Sequence, residues 1–277
     1  MLLPWLQQAG AADEVAAWSD RAGLDLLHLG TRADAEELRD TSVAQPLLVT
    51  VALLSGRALL AGRTPDLVCG HSVGELAALA LAGVLTDAEA VVLAAGRGRV
   101  MAEAAALRPT GMAALLGTIE APARAGLELA TVNVAGQVVV GGPVDELAAL
   151  TVDPPAGVRV RRLDVAGAFH TSAMASAVEP FRELVARLPR RTAGCGVVAN
   201  ADGAVLTDGG QLLDRLVRQL TCPVRFDLCL EALGRQGVLE VVELAPGGTL
   251  GPLLRRGLPD AAVTLLRTPA DLPVVVA

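Results

Sequence analysis

One serine lies in a pattern that can make its hydroxyl a nucleophile. Gly70-His71-Ser72-Val73-Gly74 follows the apolar run Leu67-Val68-Cys69 and precedes an alanine-rich stretch of helical periodicity. Glycines around a serine permit a sharp strand-to-helix turn, a nucleophile elbow, which lifts the hydroxyl above the strand end at a helix N-terminus. The pattern therefore predicts that Ser72 attacks an acyl group and that the backbone N–H of Val73 stabilises the oxyanion formed.

A serine nucleophile needs a base, and the chain has only three histidines. His28 lies in a leucine-rich run, which is typical of a partly buried structural residue. His71 adjoins the serine, so its side chain leaves the turn in another direction, where it could contact a substrate. His170 lies in a glycine-containing segment, and a loop there could bring it to the top of a sheet. His170 is therefore the preferred base.

No sequence rule selects a third residue that would orient this base. Asp164, Asp202 and Asp227 are all available. Each of them is equally typical of a surface carboxylate or a helix cap. The residues alone leave this position open.

Composition limits the other kinds of chemistry. The 277 residues are 52% hydrophobic, 19% charged and 2% aromatic, with a formal net charge of −7. All 23 basic residues are arginines, which excludes Schiff-base chemistry on lysine and a lysine in a phosphate-binding loop. A negatively charged chain with few aromatic residues is a poor match for nucleic acid. We therefore expect a globular protein with an aliphatic core and no nucleic-acid partner.

The chain carries no sign of export, of a membrane span or of a metal centre. Its first residues lack a basic region followed by a long apolar run, and no apolar stretch reaches the roughly 20 uncharged residues that a span needs. The cysteines have neither zinc-site spacing nor the density of a disulfide framework; they are Cys69, Cys195, Cys222 and Cys229. We expect a cytoplasmic protein that contacts no membrane and holds no metal.

The order of the predicted elements indicates an α/β fold with an insert. Alternating strands and helices predict a parallel sheet covered by helices on both faces. Between Gly111 and Val165, short β-like runs alternate with two helical candidates, near Ala121 to Ala130 and Pro143 to Leu150. The predicted organisation is a core of residues 1–110 and 166–277 with an α+β subdomain over residues 111–165.

A set of ordered segments is more specific than the serine pattern alone. They are Gly70-His71-Ser72-Val73-Gly74-Glu75, Arg97-Gly98-Arg99-Val100-Met101, Gly167-Ala168-Phe169-His170, Thr41 to Leu47, Asn133 to Val139, Gln219 to Val224, and Glu243 to Leu250. Together the segments resemble those of the malonyl-CoA:acyl carrier protein transacylases, which are related to the acyltransferase domains of polyketide synthases. The resemblance implies an α/β-hydrolase-like parallel-sheet core with an inserted ferredoxin-like subdomain, and an active site between them.

The resemblance also implies roles for several residues. Ser72 and His170 would form a dyad that transfers a malonyl group by a ping-pong route. A backbone carbonyl at Gln219 would hold the far nitrogen of the histidine, which explains why no aspartate stands out.

Three further positions are expected to contact the substrate by the same resemblance. Arg97 would pair with the malonyl carboxylate, because a planar guanidinium accepts a carboxylate bidentately and acetyl would leave its charge unpaired. His71 would lie beside the substrate, and Phe169 would narrow the space beside the acyl α-carbon, favouring malonyl over methylmalonyl. Malonyl-CoA is then the expected substrate and the phosphopantetheine thiol of an acyl carrier protein the acceptor, with no bound cofactor.

One family feature is expected to be missing. Members begin with an apolar strand and a Gly-Gln-Gly-Ser-Gln segment whose glutamine supplies a second oxyanion-hole N–H, and this sequence starts after that segment. The loss would leave an unpaired edge on the strand before Ser72 and slow the reaction about 100- to 1,000-fold. A start codon placed too late and a true variant both explain it. In a true variant, an acyl-thioester hydrolase, an editing enzyme or a degenerate acyltransferase acting as a scaffold becomes the alternative function.

Overall fold

The computed structural model describes residues 1–34, 36–119 and 124–273. The helices in this part of the chain are α1 (Ala11–Ala22), α2 (Leu26–Arg32), α3 (Thr41–Leu60), α4 (Gly74–Leu81), α5 (Asp87–Ala106), α6 (Val144–Val152), α7 (Ala175–Ala186), α8 (Gly209–Arg218), α9 (Phe226–Arg235) and α10 (Gly251–Gly257). The strands are β1 (Leu67–Cys69), β2 (Thr110–Leu116), β3 (Glu128–Val134), β4 (Gln137–Pro143), β5 (Arg159–Arg162), β6 (Gly196–Val198), β7 (Val205–Leu206), β8 (Val224–Arg225), β9 (Glu240–Glu243) and β10 (Ala262–Leu265). Short 3-10 helices lie at Trp5–Gln7, Glu37–Arg39, Ser172–Met174 and Pro269–Asp271.

Parallel pairs of strands form the centre of the larger part of the molecule. β1 pairs in parallel with β6, which pairs in antiparallel with β7. β9 pairs in parallel with β10. Among the described residues β1 and β9 each have one edge without a partner strand.

A separate five-stranded sheet has the order β5-β2-β4-β3-β8. Its first four strands are antiparallel to one another, and helix α6 covers one face through Leu147 and Leu150. This arrangement fits the predicted ferredoxin-like subdomain, so the predicted fold class is confirmed. The strand β8, which follows the insert by some distance along the chain, extends this sheet beside β3.

The helix predicted near Ala121 to Ala130 is wrong where the structure describes it. Residues 120–123 lie outside the described part of the chain, residues 124–126 form a turn, and β3 begins at Glu128. Pairing with β4 on one side and β8 on the other overrides the local helical pattern, because strand formation depends on neighbouring strands more than on intrinsic preference.

Helices α3 and α5 pack closely together and form one side of the candidate site. A side chain at Gly98 would collide with the backbone of Thr41 and Ser42, so glycine is required for this approach. The residue before it, Arg97, is thereby brought against α3. Helix α3 is long and apolar enough to cross a membrane by composition alone, but more than half of its most apolar window is buried in the fold, as in a core helix.

Candidate active site

Ser72 occupies a strained turn between β1 and α4. Its φ is 53°, in the left-handed region that costs a non-glycine residue free energy and is often found at functional positions. Its backbone N–H donates to Oδ1 of Asn200 at 2.8 Å, which holds the turn from the side. The backbone N–H of Val73 has no acceptor within the described part of the chain, so it is available to a ligand at the N-terminus of α4.

The two glycines of the turn differ in what they permit. A Cβ at Gly70 would collide with the backbone of Gly74 and Glu75, whereas a Cβ at Gly74 would meet nothing within 4 Å. We expect Gly70→Ala to lower the free energy of unfolding by about 2–4 kcal/mol, because backbone atoms must move. Gly74→Ala is the control and should change it by less than about 1 kcal/mol. Urea unfolding followed by circular dichroism measures both, and equal losses would contradict this account of the turn.

His170 lies within hydrogen-bond distance of the serine hydroxyl. Its Nε2 is 2.7 Å from Oγ of Ser72, and its Nδ1 is 2.7 Å from the backbone oxygen of Gln219. A carbonyl oxygen only accepts, so Nδ1 carries the hydrogen and Nε2 is free to accept the serine proton. This is the geometry of a base oriented by a third group.

The environment of His170 keeps its ring neutral. The side chain is buried, and burial together with the charge of Arg97 lowers its pKa to about 3, although the hydrogen bond to Gln219 acts in the opposite direction. A histidine that is neutral in the folded state and protonated in the unfolded state makes folding less favourable as the pH falls below about 6.5. This contribution to stability is present above that pH and is lost progressively toward pH 3.

We expect the His170 ring to remain unprotonated at pH 5. An ordinary imidazole is mostly charged at this pH, so the difference is large. Nitrogen-15 chemical shifts of the ring over pH 5 to 8 measure it, with His170→Gln used to assign the signal. A protonation midpoint near 6.5 would contradict the buried, neutral base.

Arg97 extends from α5 toward the hydroxyl of Ser72. Its Nη1 donates to Oε1 of Gln45 at 2.7 Å, and its Nη2 donates to Oε1 of Gln219 at 2.8 Å and lies 3.3 Å from Oγ of Ser72. The side chain is 1% exposed, Nε has no hydrogen-bond partner, and within the residues described no carboxylate forms an ion pair with it. Burial lowers the pKa of Arg97 to about 10, which leaves the group charged at neutral pH.

A buried polar network below the elbow was not predicted from the sequence as part of the site. Glu75, Asn200 and the side chains of Gln45 and Gln219 join the turn to Arg97. Burial raises the pKa of Glu75 to about 7, against the opposing effects of the Asn200 N–H and the charge of Arg97. Glu75, Gln45 and Gln219 all lie in the segments that carry the resemblance, but those segments do not show which side chains meet.

The other residues predicted to contact the substrate lie at the edges of this buried network. Nε2 of His71 is 2.9 Å from Oδ1 of Asn133 on β3, and its ring stacks edge-on against Phe226. Burial lowers the pKa of His71. Phe169 packs against the apolar cluster of the small sheet that contains Met112. His28 lies on α2 and shares no hydrogen bond with the site among the described residues.

The three aspartates considered as orienting groups all pair with arginines. Asp164 pairs with Arg39 at 2.8 Å, Asp202 with Arg215 at 2.6 Å, and Asp227 with Arg225 at 2.7 Å. None of them contacts His170 in the part of the chain described. No group of histidine, cysteine, aspartate and glutamate residues there could hold a metal ion.

The acyl transferase domain family matches residues 7–266 of the chain. The malonyl CoA-acyl carrier protein transacylase of Mycobacterium tuberculosis is 46% identical, over 98% of this chain and 93% of that protein. The crystal structure of the MCAT from Mycobacterium tuberculosis superposes with a TM-score of 0.93 over 98% of this chain and 93% of that one. A malonyl-transacylase solved in complex with a type II PKS acyl-carrier protein is 28% identical, with a TM-score of 0.89 over 98% of this chain and 93% of that one.

Proposed function

The chain belongs to the malonyl-CoA:acyl carrier protein transacylases, and from this we propose that it moves malonyl from coenzyme A to an acyl carrier protein through an acyl-serine. The observation that carries the mechanism is the neutral His170 ring, 2.7 Å from the Ser72 hydroxyl and held by the Gln219 carbonyl. No cofactor takes part, since the substrate thioester supplies the activated acyl group.

The first half-reaction forms the acyl-enzyme. Nε2 of His170 takes the proton as Oγ of Ser72 bonds to the thioester carbonyl carbon, and the carbonyl oxygen becomes an oxyanion near the Val73 N–H. When the oxyanion collapses, the carbon–sulfur bond breaks and the coenzyme A sulfur receives the proton from Nε2. Malonyl then remains on Ser72 as an ester, and His170 is neutral again.

The second half-reaction reverses these steps with a new thiol. The phosphopantetheine thiol of the carrier protein gives its proton to Nε2 of His170 and its sulfur attacks the ester carbonyl. Collapse of the second oxyanion breaks the bond to Oγ of Ser72, which takes the proton back. Malonyl leaves on the carrier protein, so the net reaction exchanges one thioester for another.

Arg97 is proposed to receive the free carboxylate of the malonyl group. Its guanidinium is buried beside the nucleophile without an ion-pair partner in the described residues, and Gln45 and Gln219 fix its plane. A carboxylate in this position forms charge-assisted hydrogen bonds, whereas an acetyl group leaves the charge desolvated and unpaired. The site therefore favours dicarboxylic acyl groups.

Selectivity between malonyl and methylmalonyl is proposed to depend on Phe169. Its ring packs against the apolar cluster of the small sheet, directly before His170 in the chain, and would crowd a methyl group on the α-carbon. One methyl group in such a pocket is worth about 1–3 kcal/mol. A moderate preference for malonyl, rather than complete exclusion of methylmalonyl, is expected.

The proposal divides the chain into a catalytic core and a small subdomain, with one strand of the core, β8, extending the sheet of the subdomain. We propose that residues 1–110 and 166–277 form the catalytic core and residues 111–165 the small subdomain. Ser72, Arg97 and His170 then come from the core, and Asn133 from the subdomain contacts His71. The active site would lie in the cleft between the two.

A cytoplasmic location is part of the proposal. The four cysteines, which are Cys69, Cys195, Cys222 and Cys229, are free. Unpaired cysteines are usual in a reducing compartment. Both coenzyme A thioesters and carrier proteins would meet the enzyme there.

The experiment that tests the proposal combines the enzyme, malonyl-CoA and a phosphopantetheine-loaded acyl carrier protein. Intact mass spectrometry should find malonyl on the carrier. Release of free malonate without loaded carrier would instead favour an acyl-thioester hydrolase. The absence of both loaded carrier and free malonate, with the unmodified enzyme as with the Ser72→Ala variant, would favour a scaffold.

A further inference from the structure

Glu75 is a buried carboxylate that takes no part in the proposed malonyl transfer. It lies in the first turn of α4, three residues after the nucleophile, and is 4% exposed. Its Oε1 accepts the backbone N–H of Asn200 at 2.8 Å, and its Oε2 accepts Nε2 of Gln219 at 2.6 Å. Within the described chain neither oxygen forms a hydrogen bond with Oγ of Ser72, the His170 ring or Arg97, so Glu75 does not touch the reacting atoms.

The side-chain amide of Gln219 connects this carboxylate to Arg97. Its NH2 group faces acceptors only, which are the Glu75 carboxylate, Oδ1 of Asn200 at 3.1 Å and the backbone oxygen of Ser72 at 3.4 Å. Its oxygen accepts a hydrogen bond from Nη2 of Arg97 at 2.8 Å. A half-turn of the amide would place donors against the guanidinium and an oxygen against a carboxylate, and both contacts are repulsive.

Glu75 makes the shortest of the contacts that keep the oxygen of this amide facing Arg97. The acceptors Asn200 and Ser72 favour the same orientation, but the carboxylate is the shortest and the only charged contact of the NH2 group among them. Hydrogen bonds to ionised groups are about twice as strong as those between neutral groups. At pH 8 the carboxylate is mainly ionised, because its pKa is about 7.

We propose that Glu75 is a positioning residue for substrate selection: it fixes the Gln219 amide so that the amide oxygen holds the guanidinium of Arg97 in place for the acyl carboxylate. This inference rests on the proposed function, since it concerns the carboxylate that a malonyl group carries. The dyad is affected less, because His170 is held by the backbone oxygen of Gln219 and not by its side chain.

The test is the Glu75→Gln variant, assayed at pH 8 with malonyl-CoA and with acetyl-CoA. The substitution keeps the size of the side chain but adds an NH2 group that opposes the NH2 group of Gln219. We expect kcat/KM for malonyl loading of the enzyme to fall at least about 30-fold, mainly through KM, because ground-state binding of the carboxylate is weakened. Acetyl loading, and labelling of Ser72 by a neutral sulfonyl fluoride, should stay within about threefold of the unmodified enzyme.

Glu243→Gln is the matched control. Glu243 is also buried, at 8% exposure, and its carboxylate accepts the backbone N–H groups of Leu250 and Gly251 far along the chain from the elbow. The Glu243→Gln substitution removes a buried carboxylate that does not contact Gln219, so the ratio of malonyl to acetyl loading should not change.

The outcomes separate positioning from general support of the fold. A selective loss of malonyl loading in Glu75→Gln supports the proposal. An equal loss of malonyl loading, acetyl loading and serine labelling overturns it, because Glu75 would then only hold the elbow together. An unchanged malonyl-to-acetyl ratio overturns it as well. If the unmodified enzyme is labelled at Ser72 but takes no malonyl, the proposed function itself fails, and this inference fails with it.

Discussion

The Ser72→Ala variant is expected to lose malonyl transfer by at least about 10⁴-fold and to form no acyl-enzyme. The hydroxyl is the atom that accepts the acyl group, and its loss leaves His170 without a nucleophile to activate. Removing a catalytic serine from a comparable dyad or triad costs about as much as removing the whole group. Transfer of malonyl to the carrier protein, followed by mass spectrometry, measures the rate.

The control for this prediction is Ser176→Ala. Ser176 is an exposed residue on α7, and its substitution should leave transfer unchanged. Thermal unfolding of both variants shows whether the fold is kept. A Ser72→Ala enzyme that is folded and still transfers malonyl within tenfold of the unmodified rate would remove Ser72 from the reaction.

The Arg97→Ala variant is expected to lose the preference for malonyl over acetyl by at least about 100-fold. A site built around a buried polar group rejects a substrate that leaves that group unpaired by large factors, and this rejection disappears with the group. Loading of malonyl should fall steeply, while acetyl loading should be kept or increase, because the desolvated charge is gone. Competition between malonyl-CoA and acetyl-CoA, followed by the mass of the acyl-enzyme, measures the ratio.

Arg99→Ala tests whether this effect is specific. Arg99 lies two residues further along α5 and is exposed, so it shares the helix but not the site. Its substitution should leave the malonyl-to-acetyl ratio unchanged. A similar loss of preference in both variants would point to the charge of the helix as a whole and against a direct contact at Arg97.

The proposed nucleophile and base could be selected from the sequence because the elbow has a local signal. The elbow needs an apolar strand, a short glycine-bounded turn and a helix in immediate succession, and β1 and α4 follow that order. The scarcity of histidine then left few candidates for the base. The backbone carbonyl of Gln219 was reached only through the resemblance, since a carbonyl has no sequence signature.

The buried network could not be predicted in the same way. Glu75 and Gln219 are 144 residues apart in sequence, and Gln45 and Arg97 are 52 residues apart. Their contacts depend on how α3, α5 and the end of α8 pack, including the close approach at Gly98. Polar residues of these types are usually exposed, so their burial below the elbow is a property of the tertiary fold.

The misread start of β3 has a related cause. Residues 121–130 combine alanine, leucine and arginine, which favour helix, and a single-sequence pattern does not include the strands beside them. The hairpin partner β4 and the distant strand β8 decide the outcome. The helix predicted near Pro143 to Leu150 is found as α6, Val144–Val152, because its local pattern meets no competing strand partner.

The most direct test of the central claim follows one malonyl group through a single turnover. The enzyme is mixed with malonyl-CoA in the absence of carrier protein, quenched and digested, and the peptide containing Ser72 is examined by mass spectrometry. The carrier protein is added to a parallel sample before quenching. We predict that the mass of one malonyl group appears on Ser72 and then moves to the phosphopantetheine of the carrier. Malonyl on the carrier without passage through Ser72, or loss of malonyl from Ser72 to water alone, would contradict the account.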